Sequence, residues 1–346
     1  MGGKALSTPT RRISRSEFNM IESSVQDFLN ERDVPFQSIP FYRKKDSFGD
    51  FDIVVSDSIQ DRELLASEGT FGSLKKDLAE VFHSRSFFVN SNVCSFEFRH
   101  SPEEEEGFQV DFICFPENDM QAAADYFSYN DLGNLIGRVA HKMGLSYGQK
   151  GLLFPMRDGN RLLATPVISS SADEALDVLG YDAHRFREGF DTVEDIFDFA
   201  TSTPYFSPEI YLLENRNSIA RKRDKNRPNY RGFLEYLERG NFKSFEFPEK
   251  SSWLPKLFER FPDFKKEHDS VLHLASMRKS IKDLYNGILV SEWTGLDGRE
   301  LGSFMQQYRK GFQDEAEFLA HLQEINVESD VKNAFSRFKN SFKQKF

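Results

Sequence analysis

The sequence predicts an α/β (α+β) domain, a mixed sheet flanked by helices, followed by a mainly helical second domain. Three observations carry this. The chain has 346 residues, enough for about two hydrophobic cores. Through residue 116 the apolar spacing switches repeatedly between helical and extended periods. From about residue 190 nearly every segment reads as helix or connecting loop. The expected domains are therefore 1–116 and 117–346.

The elements follow in order. Residues 17–31 place Met20, Ile21, Val25, Phe28 and Leu29 at helical spacing. "VPFQSIPFY" reads as a strand broken by prolines, "KKDSFGD" as a turn and "FDIVV" as a short apolar strand. Helical spacing returns from about Ile59 to Phe82. "FFVNSNVCSFEFRH" and "FQVDFICF" are extended, and the glutamate run between them, "SPEEEEG", is a solvated hairpin tip. After Pro116, "YNDLGNLIGRVAHKMGL" is helical, with Asp131 as its cap. "RDGN" centres a hairpin, because Asp-Gly is a strong turn signal. Ser171 and Glu174 form a capping-box pattern.

Composition narrows the function. Hydrophobic residues make up 39% and charged residues 29%, and no apolar run approaches the ~18 residues of a membrane span. The start lacks an apolar leader region, so a cytoplasmic protein is expected. Gly2 with Ser7 also fits the loose start of a myristoylation pattern, a match frequent by chance. Cys94 and Cys114 lie in strand-like runs without a CxxC partner and read as reduced core thiols. A net charge of −10 excludes a generic nucleic-acid-coating protein and confines any such contact to local basic patches. The 36 phenylalanines read first as core filling, with base stacking as a second use for some of them.

The chemistry concentrates in "DSFGDFDIVVS", residues 46–56. Side chains alternate along a strand, so Asp50 and Asp52 share a face, roughly 6–7 Å apart at the backbone. Asp111 interrupts "FQVDFICF" and joins them if the two strands are close. Three converging carboxylates repel one another when no cation is bound. Mg2+ (or Mn2+) relieves this, since a hard cation takes oxygen ligands and keeps positions open for phosphates. Two such ions about 4 Å apart clamp the attacking and leaving oxygens of a phosphoryl displacement. A bare DxD also marks acidic turns, and in DxD glycosyltransferases it holds manganese and a nucleotide-sugar. The glycine before it, the apolar strand after it, the third aspartate and the element order together favour the metal-clamp reading.

"FGDFD" followed about 60 residues later by "VDF" resembles the nucleotidyltransferase superfamily of DNA polymerase beta and the poly(A) polymerases, over residues 17–116. More loosely, "GGKAL", "NLIGRVAHKMGL" and "LLENRNSIARKRDKNRPNY" are similar to members found in phage genomes. The resemblance implies transfer of a nucleoside monophosphate from a nucleoside triphosphate, ATP or CTP, to an acceptor hydroxyl, with release of pyrophosphate. Asp50, Asp52 and Asp111 would be its catalytic metal ligands, with Asp111 on the acceptor side, and Ser47 and Gly49 would lie by the triphosphate. One departure stands out. The family places a Gly-Gly or Gly-Ser turn about ten residues before the first aspartate, where this chain has "IPFYRKKDSFGD". Either an amino-terminal fold-back brings in Gly2 and Gly3, or Arg43, Lys44 and Lys45 hold the triphosphate instead.

Two more segments bear on the site. On the helix after Asn130, Asn134, Arg138 and His141 share one face. By the resemblance Asn134 and Arg138 touch the nucleotide; by periodicity alone they form a solvated face. Residues 216–231, "RNSIARKRDKNRPNYR", hold seven basic residues and one acidic. Arg216, Arg221, Lys222, Arg223, Lys225, Arg227 and Tyr230 are acceptor-binding candidates, through phosphates and one stacked base, or else a solvated helix end. The preferred acceptor is RNA, with a tRNA 3′ end as one candidate. The rivals are nucleotidylation of a protein or small molecule, and an inactive binding module. Finally, Phe335, Phe338, Phe342 and Phe346 form a helical stripe amid basic residues, expected to dock on the helical domain, with contact to RNA, a membrane surface or a partner as the alternatives.

Overall fold

The structure is a computed structural model that describes residues 4–60 and 71–343, with side chains described to Phe338. It is mixed α/β. The amino-terminal part runs β1 (Ile13–Ser14), α1 (Arg15–Asn30), β2 (Phe36–Ser38), β3 (Ser47–Phe48), β4 (Asp50–Ser56), α2 (Gly72–Val81), β5 (Phe87–Asn90), β6 (Val93–Phe98) and β7 (Phe108–Phe115). Five of these strands form one sheet in the order β2-β4-β7-β6-β5, parallel only between β4 and β7. The helix expected from about 59 to 82 is present over Gly72–Val81; residues 61–70 lie outside the described residues.

Alternation divides the sheet into two faces. Phe51, Ile53 and Val55 of β4 and Val110, Phe112 and Cys114 of β7 join Phe18, Ile21, Val25, Phe28 and Leu29 of α1 in one core. Each of these large side chains contributes about 1.5–3 kcal/mol by leaving water. Rings fill much of this space: Phe18 stacks on Phe48 at 4.0 Å, and Phe96 meets Phe112 edge-on at 5.0 Å. Cys94 and Cys114 are buried free thiols, pushed up to about 11 and about 12 by burial.

The opposite face carries Asp50, Asp52, Val54 and Ser56. Its far half is covered by α3 (Glu117–Phe127), whose Met120, Ala123 and Ala124 pack on Val54, Ile113 and Phe115. The near half carries the aspartates, and Tyr126 and Phe127 at the end of α3 line a cleft beside Asp50 and Asp52. This packing moves the expected boundary. The chain divides into one unit of residues 1–156 with 165–260, and a second of 157–164 with 261–346. Residue 116 therefore lies inside the first unit, because α3 completes the sheet's second core.

In the first unit, α4 (Leu132–Lys142) buries Leu132, Leu135, Ile136 and Val139. Short strands β8 (Ser146–Gly148) and β9 (Gly151–Leu153) follow it. The "RDGN" hairpin forms as expected, from β10 (Met156–Asp158) and β11 (Arg161–Ala164), and its residues 157–164 belong to the second unit. β12 (Val167–Ser169) pairs with β9. Next come α5 (Ala172–Val178), α6 (Ala183–Glu188), α7 (Val193–Thr201), α8 (Ser218–Lys225), α9 (Pro228–Arg239) and α10 (Leu254–Arg260). Ser171 caps α5, but Glu174 does not close the box; its carboxylate accepts the Ser169 hydroxyl instead.

The second unit holds α11 (Pro262–Leu284), α12 (Gly287–Thr294), α13 (Gly298–Arg309), α14 (Glu315–Glu324) and α15 (Val327–Lys343). Ile281, Val290, Phe304, Phe318, Leu322 and Val331 form its core. Phe335 and Phe338 pack against Phe304 at 5.6 and 5.4 Å, as the stripe predicts; the side chains of Phe342 and Phe346 lie outside the described residues. Among the described residues no helix is long and apolar enough to cross a membrane.

Candidate functional site

Parallel pairing of β4 with β7 sets Asp52 opposite Asp111 and Asp50 opposite Gln109. Asp50, Asp52 and Asp111 each offer a carboxylate oxygen, and these atoms lie within 4.8 Å of one another. A single hard cation can bridge oxygens so arranged. Asp52 presents part of its surface to solvent, yet protein packed around its carboxylate is the largest cause holding its proton on, followed by the charges of Asp50 and Asp111. Burial also raises Asp111, against the hydroxyl of Ser95 and the amide of Gln109, which favour its anion.

Support for Asp111 reaches back to the start of the chain. Gln109 Nε2 donates to both carboxylate oxygens of Asp111, at 3.0 and 2.9 Å. Gln109 Oε1 in turn accepts the backbone N–H of Ala5 at 2.9 Å. The amino-terminal segment is fastened further on by Gly107 N donating to Pro9 O and Arg11 N to Gly107 O. β1 pairs with β3, and Arg12 donates to the hydroxyl and carbonyl of Ser47. These bonds hold residues 5–14 against the sheet; Gly2 and Gly3, on which the fold-back alternative turns, lie outside the described residues.

Beside the aspartates opens a cleft of about 370 Å3, contained in the first unit. One wall is aromatic, with Phe18, Phe41, Phe48, Tyr126 and Phe127. Ile39, Pro40 and Phe51 add apolar surface, and the polar side is built by Lys45, Asp50, Asp52, Asn130, Asp131, Asn134, Gln149, Arg223 and Arg227. Burial lowers the Lys45 ammonium's pKa, while Asp50 and Asp52 oppose this. Arg223 donates to Asn134 Oδ1 at 3.0 Å, and Arg227 pairs with Asp131. Asp131 is the residue before α4 but makes no side-chain cap bond; its carboxylate serves Arg227.

Several expected site residues lie elsewhere. Arg43 reaches Asp191 and the Glu188 carbonyl, and Lys44 N–H donates to Asp191 O, so neither lines the cleft. Ser47 is engaged by Arg12, and Gly49 is buried between Phe48 and Asp50. Of the basic stretch before the aspartates, Lys45 alone lines the cleft. Asn134 faces it, whereas Arg138 donates from Nε and Nη2 to the Ile210 carbonyl and lines a neighbouring cavity with His141.

The basic segment also divides. Tyr230 is 0% exposed and donates its hydroxyl to Tyr211 O, so it cannot stack on a base. Arg216 is buried and pairs with Asp224 at 2.5 Å. Arg221 binds the carbonyls of Leu213, Glu214 and Arg216. Lys222 and Lys225 are exposed. Arg223 and Arg227 belong to the aspartate cleft itself rather than to a separate surface.

Sequence reasoning missed Ser95, Gln109, Tyr126 and Gln149. For Gln109 and Ser95 a signal existed: Gln109 stands two positions before Asp111 in a mostly apolar strand, and Ser95 is a polar residue flanked by Cys94 and Phe96 that pairs with Asp111. No protein-family model matches the chain, and no curated protein gives a significant match.

Proposed function

We propose that the chain is a metal-dependent nucleotidyltransferase of the DNA polymerase beta and poly(A) polymerase type, acting in the cytoplasm. One observation carries this reading: three carboxylates from a register-matched parallel strand pair converge, and two of them, Asp50 and Asp52, line a cleft with cations and rings. Asp50, Asp52 and Asp111 would hold Mg2+ or Mn2+, and the crowding that raises Asp52 and Asp111 suits a donor set awaiting a cation. The ion, when bound, neutralises the developing phosphate charge and eases ionisation of the acceptor hydroxyl.

The chain's own residues do the rest. Lys45, Arg223 and Arg227 attract the triphosphate, Phe41, Tyr126 and Phe127 offer flat surfaces to a base, and Asn134 positions the nucleotide. The acceptor oxygen bonds to the α-phosphorus, its proton leaves on the Asp111 side, and pyrophosphate departs. ATP or CTP is the donor. RNA is the preferred acceptor, a tRNA 3′ end included, supported by the exposed Lys222 and Lys225 beside Arg223.

The test incubates the protein with each labelled triphosphate, Mg2+ or Mn2+, and total cellular RNA or protein. Label in RNA supports the reading. Label in protein or a small molecule moves the enzyme to the nucleotidylating relatives. No label, together with no thermal stabilisation by any triphosphate plus metal, identifies an inactive binding module.

A further inference from the structure

Beside the aspartate cleft, and sharing Tyr126 and Asn134 with it, lies a second cavity of about 240 Å3. Arg138, His141, Tyr147 and Arg216 line it, and among the described residues no carboxylate does. Its polar atoms are unusually incomplete. Arg216 is 5% exposed; its Nη2 serves Asp224, but Nε and Nη1 have no hydrogen-bond partner among the described residues. Tyr147 is 6% exposed and its hydroxyl is likewise unpartnered. So is Nδ2 of Asn134, whose Oδ1 is taken by Arg223. Buried donors are nearly always satisfied, so a group of them around one cavity points to an acceptor that completes them.

The permanently charged side chains that line the cavity, Arg138 and Arg216, are both cations, while Asp125 and Asp173 act on Tyr147 from behind the lining. Arg138, Lys142, Arg216 and Lys250 all act on His141 to disfavour its protonation, after the effect of burial. Asp224 reaches Arg216 without lining the cavity. A compact anion with several acceptor oxygens answers both the spare donors and the spare charge.

We propose that this cavity binds one phosphate group of the acceptor RNA strand, next to the nucleotide cleft. The triphosphate has its own cations in Lys45, Arg223 and Arg227, so a phosphate here belongs to a second molecule. That this molecule is the acceptor rests on the transfer reading above; that the cavity takes a phosphate does not.

Inorganic phosphate is titrated into the full-length protein in EDTA by calorimetry, with D52N in parallel so that the result is independent of transfer. Saturable binding is expected in both, weakened at least fivefold in the H141Q/Y147F double variant, with the far-ultraviolet spectrum unchanged. Absent binding up to tens of millimolar phosphate, or equal binding by the double variant, overturns the site. A short oligoribonucleotide with one neutral methylphosphonate linkage, moved along the strand, then tests the source. One position should lose fivefold or more in the wild type but not in the double variant. Indifference at every position overturns the strand assignment even where free phosphate binds.

Discussion

Asp52 and Asp111 face each other across neighbouring parallel strands. They are 59 residues apart in sequence, by their numbers, yet their carboxylates are set by a single register. A slip of one residue would turn one of them into the apolar core. Site and sheet are thus specified together.

Replacing either carboxylate separates chemistry from folding. Asp52→Asn or Asp111→Asn should reduce nucleotidyl transfer at least about a hundredfold, while the melting temperature in EDTA stays the same or rises because repulsion is relieved. Turnover assays and thermal melts check this, and wild-type turnover in both variants would remove the assignment.

Asp224 supports the fold. It is 0% exposed and holds both Arg216 and Arg223. Asp224→Asn leaves Arg216 uncompensated in the interior and should destabilise the first unit by about 3–5 kcal/mol. Urea unfolding followed by far-ultraviolet circular dichroism measures it, and a change below about 1 kcal/mol would contradict the pairing.

Gly107 tests the strand edge. A Cβ there would sit 2.3 Å from Glu97 Cγ, and Glu97 is fully buried against Arg99 at 2.8 Å. Gly107→Ala should therefore cost about 1–3 kcal/mol by overpacking. The same urea midpoints decide it.

Acid sensitivity has a local source at Glu17. A hydrogen bond from Arg11 holds its carboxyl below the usual range, with help from the charges of Arg11 and His100 and against the effect of burial. The folded pKa is lower than the unfolded value of about 4.3, so this stabilisation is complete above about pH 5 and is lost as pH falls through the folded value. Glu17→Gln should flatten the stability profile below about pH 5, and an unchanged slope would exclude the linkage.

The two exposed lysines separate acceptor from donor. Lys222→Ala with Lys225→Ala should leave stability within about 0.5 kcal/mol and lower the salt dependence of RNA binding by up to about two units of slope. Triphosphate affinity, read by thermal shift, should not change. Arg227→Ala should instead weaken triphosphate binding, because Arg227 lines the cleft.

What the sequence disclosed depended on periodicity. The strands around Asp50, Asp52 and Asp111 alternate or run apolar, so their faces could be read. β1 and β3, two residues each, are too short to show any period. Tyr230 was misread for its polar tip, although Tyr230, Phe233 and Leu237 form the buried stripe of α9. Arg216 with Asp224, and Arg227 with Asp131, join segments with no common repeat, so only the folded chain brings them together. Pro116 read as a boundary because the character of the sequence changes there; α3 begins just after it and packs back onto the sheet.

The Ala5 amide has an orienting effect. Because it occupies the oxygen of the Gln109 carboxamide, the nitrogen end must point the other way, and Asp111 meets a donor rather than a second acceptor. Were residues 4–9 trimmed, that side chain could turn over and set oxygen against oxygen. The opening residues of the polypeptide thus fix the polarity of a contact on the sheet's central strand.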